Sequence, residues 1–227
     1  IRTPAVHYFS KKLYADFHSS LVQWGRENLG CHDISPPWLS YYVDGCYQNL
    51  HSDVPHGPWA FVYSLTPQKK VFSGGETLIL KPQTLDYWSY FQDQEDREYN
   101  SFVDRIPSEY NQLVIFDPRY PHGVTEVKGT RDPLEARLVM HGWFVEPRPY
   151  VVGGLSTAQV QKQLSAQFLK MDSILKDKGT LHGTLSLRLI VETNGSISQC
   201  KLVSNTIISL DYQKENERQF VKDLMKL

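Results

Sequence analysis

Apolar residues near the beginning of the chain recur at the period of one helical face. They are spaced by four, four and three residues, namely Leu13, Phe17, Leu21 and Trp24. This spacing is typical of an amphipathic helix that packs one side against a core. It predicts a helix within residues 8–29, and Gly30 supplies the kind of residue at which helices commonly end.

Between residues 38 and 155 the pattern changes to short runs rich in β-branched and aromatic residues, separated by glycine-containing turns. The runs are 38–43, 59–65, 76–80, 112–116 and 136–145. They predict a mainly β fold, with an antiparallel core and a helical cover. The segment 83–110 has no clean period, and we expect an ordered insertion there, with a mobile lid as the alternative.

A second change of pattern follows a connector at residues 147–155. Ser156 and Gln159 have the spacing of a capping box, and the apolar residues after them repeat at helical intervals. Alternating apolar residues then flank Asn194-Gly195, which is typical of a two-residue hairpin turn. With a final helix, this part of the chain predicts a small α+β unit.

These patterns predict a two-domain chain. We expect one domain over residues 1–150 and a small α+β C-terminal domain over residues 156–227. A unit as small as the second buries little surface by itself, so we expect it to dock on the first domain or to belong to something larger.

Composition argues against two classes of partner. The 24 Lys and Arg residues are balanced by 25 Asp and Glu residues, and the formal net charge is -1. The chain therefore has no excess of positive charge with which to bind nucleic acid. The mean hydropathy is -0.41, and the sequence contains no stretch of about 18 apolar residues, so we expect no membrane span.

The tripeptide His51-Ser52-Asp53 is the first candidate for metal chemistry. Side chains two apart on an extended segment point to the same side, so His51 and Asp53 can reach one metal ion. Alone this pattern is weak, because it also occurs in ordinary solvated loops. His122 follows the predicted strand 112–116 through a tight turn and offers a third ligand. Two imidazoles and one carboxylate form the facial set that holds Fe(II) and leaves positions open for substrate.

Arg137 opens a predicted strand and is the candidate anion binder. On an extended segment it shares one face with Val139, His141 and Trp143. A guanidinium that points into an apolar interior is unfavourable by several kcal/mol unless an anion meets it, and a carboxylate is its natural bidentate partner. Arg131 lies in a predicted turn, so we place it on the surface.

The order of these motifs resembles the Fe(II)- and 2-oxoglutarate-dependent oxygenases, most nearly the prolyl-hydroxylase-like branch. In chain order the motifs are H-x-D, a glycine pair, F-D-x-x-x-P-H-G-V and R-x-x-x-x-x-W. The likeness covers residues 38–147, about half of the chain. It implies a double-stranded β-helix of the jelly-roll or cupin type.

The resemblance also implies an enzyme. The resemblance implies that His51, Asp53 and His122 bind Fe(II) and that Arg137 binds the distal carboxylate of the cosubstrate 2-oxoglutarate. With O2, such a dioxygenase hydroxylates a C–H bond and releases succinate and CO2; ascorbate is a further candidate cofactor. The implied substrate is a prolyl or other side chain of a protein or peptide. The alternatives are a small-molecule hydroxylase and a non-catalytic metal-binding or protein-docking module.

Three further residues are expected near the cosubstrate. His141 shares the face of Arg137, and a hydrogen-bonding role beside the metal is favoured over core packing. Trp143 is expected to form a wall of the cosubstrate pocket, with an ordinary core tryptophan as the alternative. Tyr41 stands ten residues before His51, where prolyl-hydroxylase-like members carry a tyrosine near the cosubstrate; the sequence does not decide between it and Tyr42.

The C-terminal unit resembles, more weakly, the C-terminal domains of TonB-type energy-transducing proteins. That resemblance implies a module that binds a protein partner and has no chemistry of its own. A structural extension that shields the β core is the alternative. The expected compartment is the cytoplasm, with the periplasm as the alternative if the TonB-type resemblance holds.

Overall fold

A computed structural model describes residues 1–54, 56–67, 71–82, 84, 101–176, 178–211 and 214–225. Residues 85–100, which form most of the predicted insertion, lie outside this range. The chain divides into two compact units, one of Ile1–His18 and Ile34–Val145, the other of Ser19–Asp33 and Glu146–Leu227. The two-domain boundary drawn from the sequence near residue 150 stays a prediction.

The helices are α1 (Lys11–Asn28), α2 (Thr157–Leu175) and α3 (Lys214–Leu224). The strands of the first half are β1 (Arg2–Pro4), β2 (Cys31–Ile34), β3 (Trp38–Tyr42), β4 (Gln48–His51), β5 (Trp59–Ser64), β6 (Thr77–Leu80) and β7 (Val103–Ile106). The strands of the second half are β8 (Gln112–Phe116), β9 (His122–Val124), β10 (Arg137–Pro147), β11 (Leu181–His182), β12 (Leu185–Val191), β13 (Ile197–Asn205) and β14 (Ile208–Ser209). In the described part of the chain, no helix is both long and apolar enough to cross a membrane.

The first unit contains two antiparallel sheets. One includes the strand order β1-β3-β10-β5-β8, and the other has the order β4-β9-β6-β7. Arg137 on β10 donates a hydrogen bond to Thr77 on β6 at 2.9 Å, and the rings of Phe116 and His122 are 4.7 Å apart, so the sheets face each other. The predicted mainly β fold of the jelly-roll type is confirmed.

Alternate side chains of the long strand β10 face the interior between the two sheets. It pairs with β3 on one side and with β5 on the other, so its alternate residues point inward. Ala60, Phe116 and Trp143 form a buried apolar cluster there, joined by Ile79 from the second sheet. This cluster forms an apolar side of the interior between the two sheets.

The outer face of the first sheet is covered by the beginning of α1. Leu39 and Met140 point outward from neighbouring strands and form a core with Ala5. Tyr14 and Phe17 of the helix pack against this core. The predicted helical cover is therefore present in this unit, although Leu13 of the predicted apolar face is exposed.

The second unit contains a helix, a hairpin and a final helix, as the sequence pattern predicts. Gln159 donates its backbone N–H to Ser156 Oγ at 3.3 Å, and Ser156 donates its own N–H to Gln159 Oε1 at 2.8 Å, which is a capping box at the start of α2. Strands β12 and β13 form the hairpin, with Gly195 in its turn at φ 85°.

The hairpin of this unit also binds the end of α1. The hydroxyls of Ser186 and Ser204 both donate to the carbonyl of Leu29, each at 2.8 Å. Arg188 donates to the carbonyl of Glu27 at 2.6 Å. The last carbonyls of a helix have no partner within it, and these side chains supply partners. Gly30, at φ 75°, turns the chain at this point.

Candidate metal centre

His51 and His122 lie directly opposite each other on neighbouring antiparallel strands. His51 ends β4 and His122 begins β9, and the two residues are register partners. Their ring centroids are 4.5 Å apart. Asp53 follows His51 by two residues and brings a carboxylate to the same place. One ligand atom from each of the three residues lies within 4.8 Å of the others, so together they could hold a metal ion.

The Asp53 carboxylate faces both imidazoles. Its Oδ2 atom lies 3.4 Å from Nε2 of His122, and its Oδ1 atom lies 3.6 Å from Nε2 of His51. All three side chains therefore present their metal-binding atoms to one common point. These atoms are two imidazole nitrogens and one carboxylate oxygen, the ligand set that is typical of non-haem Fe(II) sites.

Backbone carbonyls hold both rings in the orientation that a metal ligand needs. Nδ1 of His51 lies 2.9 Å from the carbonyl oxygen of Asn49, and Nδ1 of His122 lies 3.0 Å from that of Tyr120. A carbonyl can only accept, so each Nδ1 carries the proton and each Nε2 keeps its lone pair. Burial also lowers the pKa of His122, which favours the neutral, ligating form of this ring.

The loop that carries Asp53 is fixed to the loop before β9. The backbone N–H of Asp53 donates to the carbonyl of Pro118 at 3.0 Å, and Ser52 Oγ donates to the carbonyl of Arg119 at 3.0 Å. Arg119 in turn forms an ion pair with Asp117. The carboxylate ligand is therefore positioned by the same segment that positions His122.

Gly123 allows β4 and β9 to approach closely at the site. A Cβ atom at this position would lie 2.5 Å from the carbonyl oxygen of Gln48, which real side chains do not tolerate. A side chain here would push the strands apart and would separate His51 from His122.

Arg137 is a fully buried cation on the inner face of β10. It is 1% exposed. Its Nη2 atom donates to Thr77 Oγ1 at 2.9 Å, and its guanidinium carbon lies 4.9 Å from the centre of the Tyr42 ring. Among the described residues, its Nε atom has no hydrogen-bond partner.

The environment of Arg137 is matched to an anionic ligand. Burial lowers the pKa of Arg137 to about 10, so the group remains charged at neutral pH. A buried charge with an unused N–H donor is unfavourable until an anion accepts from it. Gly75 allows the arginine stem to pass, since a Cβ there would lie 2.9 Å from Cδ of Arg137.

The structure separates the two candidate tyrosines. Tyr42 is the register partner of Arg137 and lies against its guanidinium. Tyr41 lies on the opposite face of β3, where it packs on the outer core with Leu39 and contacts the ring of Tyr8. Tyr42, and not Tyr41, therefore lies on the inner face beside Arg137, because neighbouring residues of a strand point to opposite faces. This placement contradicts the expectation that Tyr41 faces the cosubstrate side, and a contact of Tyr42 with the cosubstrate stays a prediction.

His141 and Trp143 lie on the inner face of β10, on the same side as Arg137. His141 Nε2 forms a hydrogen bond with Ser40 Oγ at 2.9 Å, and burial lowers the pKa of His141 to about 4. Trp143 belongs to the buried apolar cluster and stacks on His56 at 4.5 Å. Both side chains line the interior, although neither belongs to the metal-ligand cluster.

Sequence reasoning missed Thr77 and Gln48. Thr77 follows the glycine pair on β6 and binds Arg137 across the interior. Gln48 accepts a hydrogen bond from the Tyr42 hydroxyl at 3.1 Å, and its amide nitrogen lies 3.1 Å from Nε2 of His51. Residues three apart on a regular strand point to opposite faces. The register irregularity between Gln48 and His51 in the pairing of β4 with β9 accompanies their contact, and the sequence gives no signal of it.

Comparison with known families gives a match over the first part of the chain. Residues 37–145 match the family described as the 2OG-Fe(II) oxygenase superfamily, which confirms the resemblance predicted from the motifs. This family implies Fe(II), 2-oxoglutarate and O2. The match lends no support to the TonB-type resemblance of residues 156–227.

Two of the solved structures that are similar to this chain match it over about half of their length. A prolyl-4-hydroxylase from Pseudomonas putida is 19% identical with a TM-score of 0.38, and the match covers 53% of this chain and 55% of that one. A 2OG-Fe(II) oxygenase family oxidoreductase from Burkholderia pseudomallei is 15% identical with a TM-score of 0.34, covering 48% of this chain and 42% of that one. Comparison with curated proteins found no match.

Proposed function

We propose that this chain, whose residues 37–145 match the family described as the 2OG-Fe(II) oxygenase superfamily, is an Fe(II)- and 2-oxoglutarate-dependent oxygenase that hydroxylates a C–H bond. The observation that carries the proposal is a three-residue metal-ligand cluster in the same interior as a buried arginine with an unused donor. A metal site alone would not require the arginine, and an anion site alone would not require the ligand cluster.

His51, Asp53 and His122 are the proposed iron ligands. Each imidazole has its Nδ1 proton fixed on a carbonyl, and its Nε2 atom lies within 3.6 Å of the Asp53 carboxylate. Three protein ligands leave further coordination positions for a cosubstrate and dioxygen. The donor set therefore fits Fe(II) better than a closed zinc site, which takes four protein ligands.

Arg137 is the proposed anchor for the distal carboxylate of 2-oxoglutarate. The guanidinium is fixed by Thr77 on one side and by the Tyr42 ring on the other. A planar guanidinium pairs with a carboxylate through two parallel hydrogen bonds, which fixes the orientation of the bound acid. A monocarboxylic keto acid would leave this charge uncompensated.

Iron(II) and 2-oxoglutarate together supply the oxidising power that inserts one atom of O2 into a C–H bond, with succinate and CO2 as co-products. The protein residues bind, orient and exclude water. Ala60, Phe116 and Trp143 form an apolar wall beside His122, which keeps water from this side of the reaction site.

The proposed substrate class is a prolyl or other side chain of a protein or peptide. The motif order that resembles the prolyl-hydroxylase-like branch supports this class, and a small molecule is the alternative. Because fold does not determine substrate, the test is mass spectrometry of peptide and amino-acid pools incubated with the protein, in search of the mass of one added oxygen atom.

The activity itself is tested by succinate release. We expect purified protein supplied with Fe(II), 2-oxoglutarate and O2 to release succinate, and we expect His122→Ala to abolish this release. His7→Ala is the matched control, because His7 is exposed and lies in the short 3-10 helix before α1. A protein that binds iron but releases no succinate would support the alternative of a non-catalytic metal-binding module.

A further inference from the structure

We propose that Gln48 is a cosubstrate-binding residue whose carboxamide N–H donates to the metal-side carboxylate of 2-oxoglutarate, so that the protein recognises both ends of the diacid. This inference rests on the proposed function. It adds a residue that lies between the anion-binding end and the metal-binding end of the site.

The contacts of Gln48 bridge these two ends. Its Oε1 atom accepts from the Tyr42 hydroxyl at 3.1 Å, and Tyr42 lies against the Arg137 guanidinium at 4.9 Å. Its Nε2 atom lies 3.1 Å from Nε2 of His51. One carboxamide therefore extends from the neighbour of the buried arginine to an atom of the metal-ligand cluster.

The direction of each hydrogen bond is determined by its partners. Nδ1 of His51 carries the proton because it bonds to a carbonyl, so Nε2 of the same ring is an acceptor and the Gln48 amide donates to it. Burial raises the pKa of Tyr42, so its hydroxyl keeps the proton that it gives to Gln48. The amide orientation is fixed from both sides.

The amide and a metal ion require the same lone pair. Nε2 of His51 has one lone pair, so when this nitrogen ligates a metal the Gln48 N–H must leave it for another acceptor. The Tyr42 hydroxyl still holds the other side of the carboxamide. The N–H group would thereby stay beside a metal held by His51 and would be available to donate to a carboxylate of a keto acid bound there.

The chemistry of Gln48 suits that carboxylate. An amide N–H is a neutral donor, so it adds a hydrogen bond without adding a second positive charge to the site. Arg137 provides charged donors at the opposite end. Donors at both ends favour a dicarboxylic keto acid over an acid of the same length with only one carboxylate.

Binding titrations of three variants test this inference. Gln48→Leu removes the donor, Gln48→Glu replaces it with a negative charge while an oxygen remains for Tyr42, and Gln23→Leu on the exposed side of α1 is the control. Isothermal titration calorimetry without oxygen would measure first Mn(II) and then 2-oxoglutarate binding to the Mn(II)-loaded protein.

The expected result is a loss confined to the keto acid. A hydrogen bond to a charged group corresponds to a change in Kd of about tenfold or more, so Gln48→Leu should raise the Kd of 2-oxoglutarate by about tenfold. Gln48→Glu should raise it further through charge repulsion. Neither variant should weaken Mn(II) binding, and in turnover the KM for 2-oxoglutarate should rise more than kcat falls.

Two results would overturn the inference. An unchanged 2-oxoglutarate Kd in Gln48→Leu would show that the amide does not contact the acid, and a parallel loss of Mn(II) binding would show that Gln48 only supports His51. If the unaltered protein binds Mn(II) but no 2-oxoglutarate, the proposed function itself fails and the role of Gln48 fails with it.

Discussion

Replacement of Arg137 by methionine should weaken cosubstrate binding without lowering the folding stability of the free protein. Methionine retains most of the apolar stem that passes Gly75 and removes the charge. If the guanidinium binds the distal carboxylate through two charge-assisted hydrogen bonds, each of about 1.5–3 kcal/mol, the Kd of 2-oxoglutarate should rise by about 10²–10⁴-fold.

The free protein should not lose stability in the same variant. Burial lowers the pKa of Arg137 from 12.5 to about 10, and each pH unit corresponds to about 1.4 kcal/mol, so holding the charge in the free protein costs about 3 kcal/mol. This cost is present at neutral pH and disappears only as the pH rises above about 10, because the folded protein then releases the proton before the unfolded chain does. Arg137→Met removes this unfavourable burial of charge and also removes the hydrogen bond to Thr77. The free energy of unfolding should therefore stay unchanged or rise by up to about 3 kcal/mol.

Calorimetry of 2-oxoglutarate binding to the Mn(II)-loaded protein and urea unfolding at neutral pH measure the two effects. Arg131→Met is the matched control, because Arg131 is exposed and should change neither quantity. A change of less than tenfold in the Kd would refute the anchoring role. A loss of more than about 2 kcal/mol in stability would show that the guanidinium is already satisfied in the free protein.

Three further predictions concern the support of the site and the fold. Gly123→Ala should raise the Kd for Mn(II) by about tenfold or more, since a Cβ would lie 2.5 Å from the carbonyl oxygen of Gln48 and strand separation misplaces a ligand; normal Mn(II) binding would contradict this. Burial lowers the pKa of His141 to about 4, so the unfolded chain takes up this proton before the folded protein does as the pH falls. His141→Phe should therefore reduce the loss of stability between pH 7 and pH 4.5 by about 2–3 kcal/mol in urea titrations. An unaltered pH profile of stability would refute this prediction. Gly30→Ala should lower the free energy of unfolding by about 1–3 kcal/mol, because Gly30 has a φ of 75° and a Cβ atom there would collide with Ser186 Oγ. Gly154→Ala, with open space around it, should not lower it, and equal effects of the two substitutions would disprove the reasoning.

The inward face of β10 could be predicted because its determinants are local. Alternation along a strand needs no knowledge of its neighbours, so the common face of Arg137, His141 and Trp143 follows from their spacing alone. The run 112–116 coincides with β8 for a similar reason, since it is apolar and bounded by turns. The meeting of His51, Asp53 and His122 was predictable because their motif order is specific.

The remaining features depend on register, which one segment cannot reveal. Tyr41 and Tyr42 are chemically alike, and only the pairing of Tyr42 with Arg137 across β3 and β10 decides which one faces inward. Strand β4 has a polar sequence and pairs with β9 at one side of its sheet, so it lacks the alternation that predicts a strand. Gln48 was missed for this reason.

The grouping of residues 19–33 with the C-terminal segment was also beyond the sequence. Local patterns assign α1 to the domain in which it occurs, whereas contacts place its second half with Glu146–Leu227. The contacts between them include hydrogen bonds from Ser186, Ser204 and Arg188 to the last carbonyls of the helix, and no periodic pattern encodes these.

The attachment of the hairpin to the end of α1 has a consequence for the order of synthesis. The hydroxyls that bind the Leu29 carbonyl belong to residues 157 and 175 positions later in the chain. At about 5–20 residues per second, a ribosome needs roughly 10–30 s to add them after the helix has been made. During that interval the C-terminal carbonyls of the nascent helix must accept hydrogen bonds from water, so the second unit can complete its fold only after Ser204 has been added.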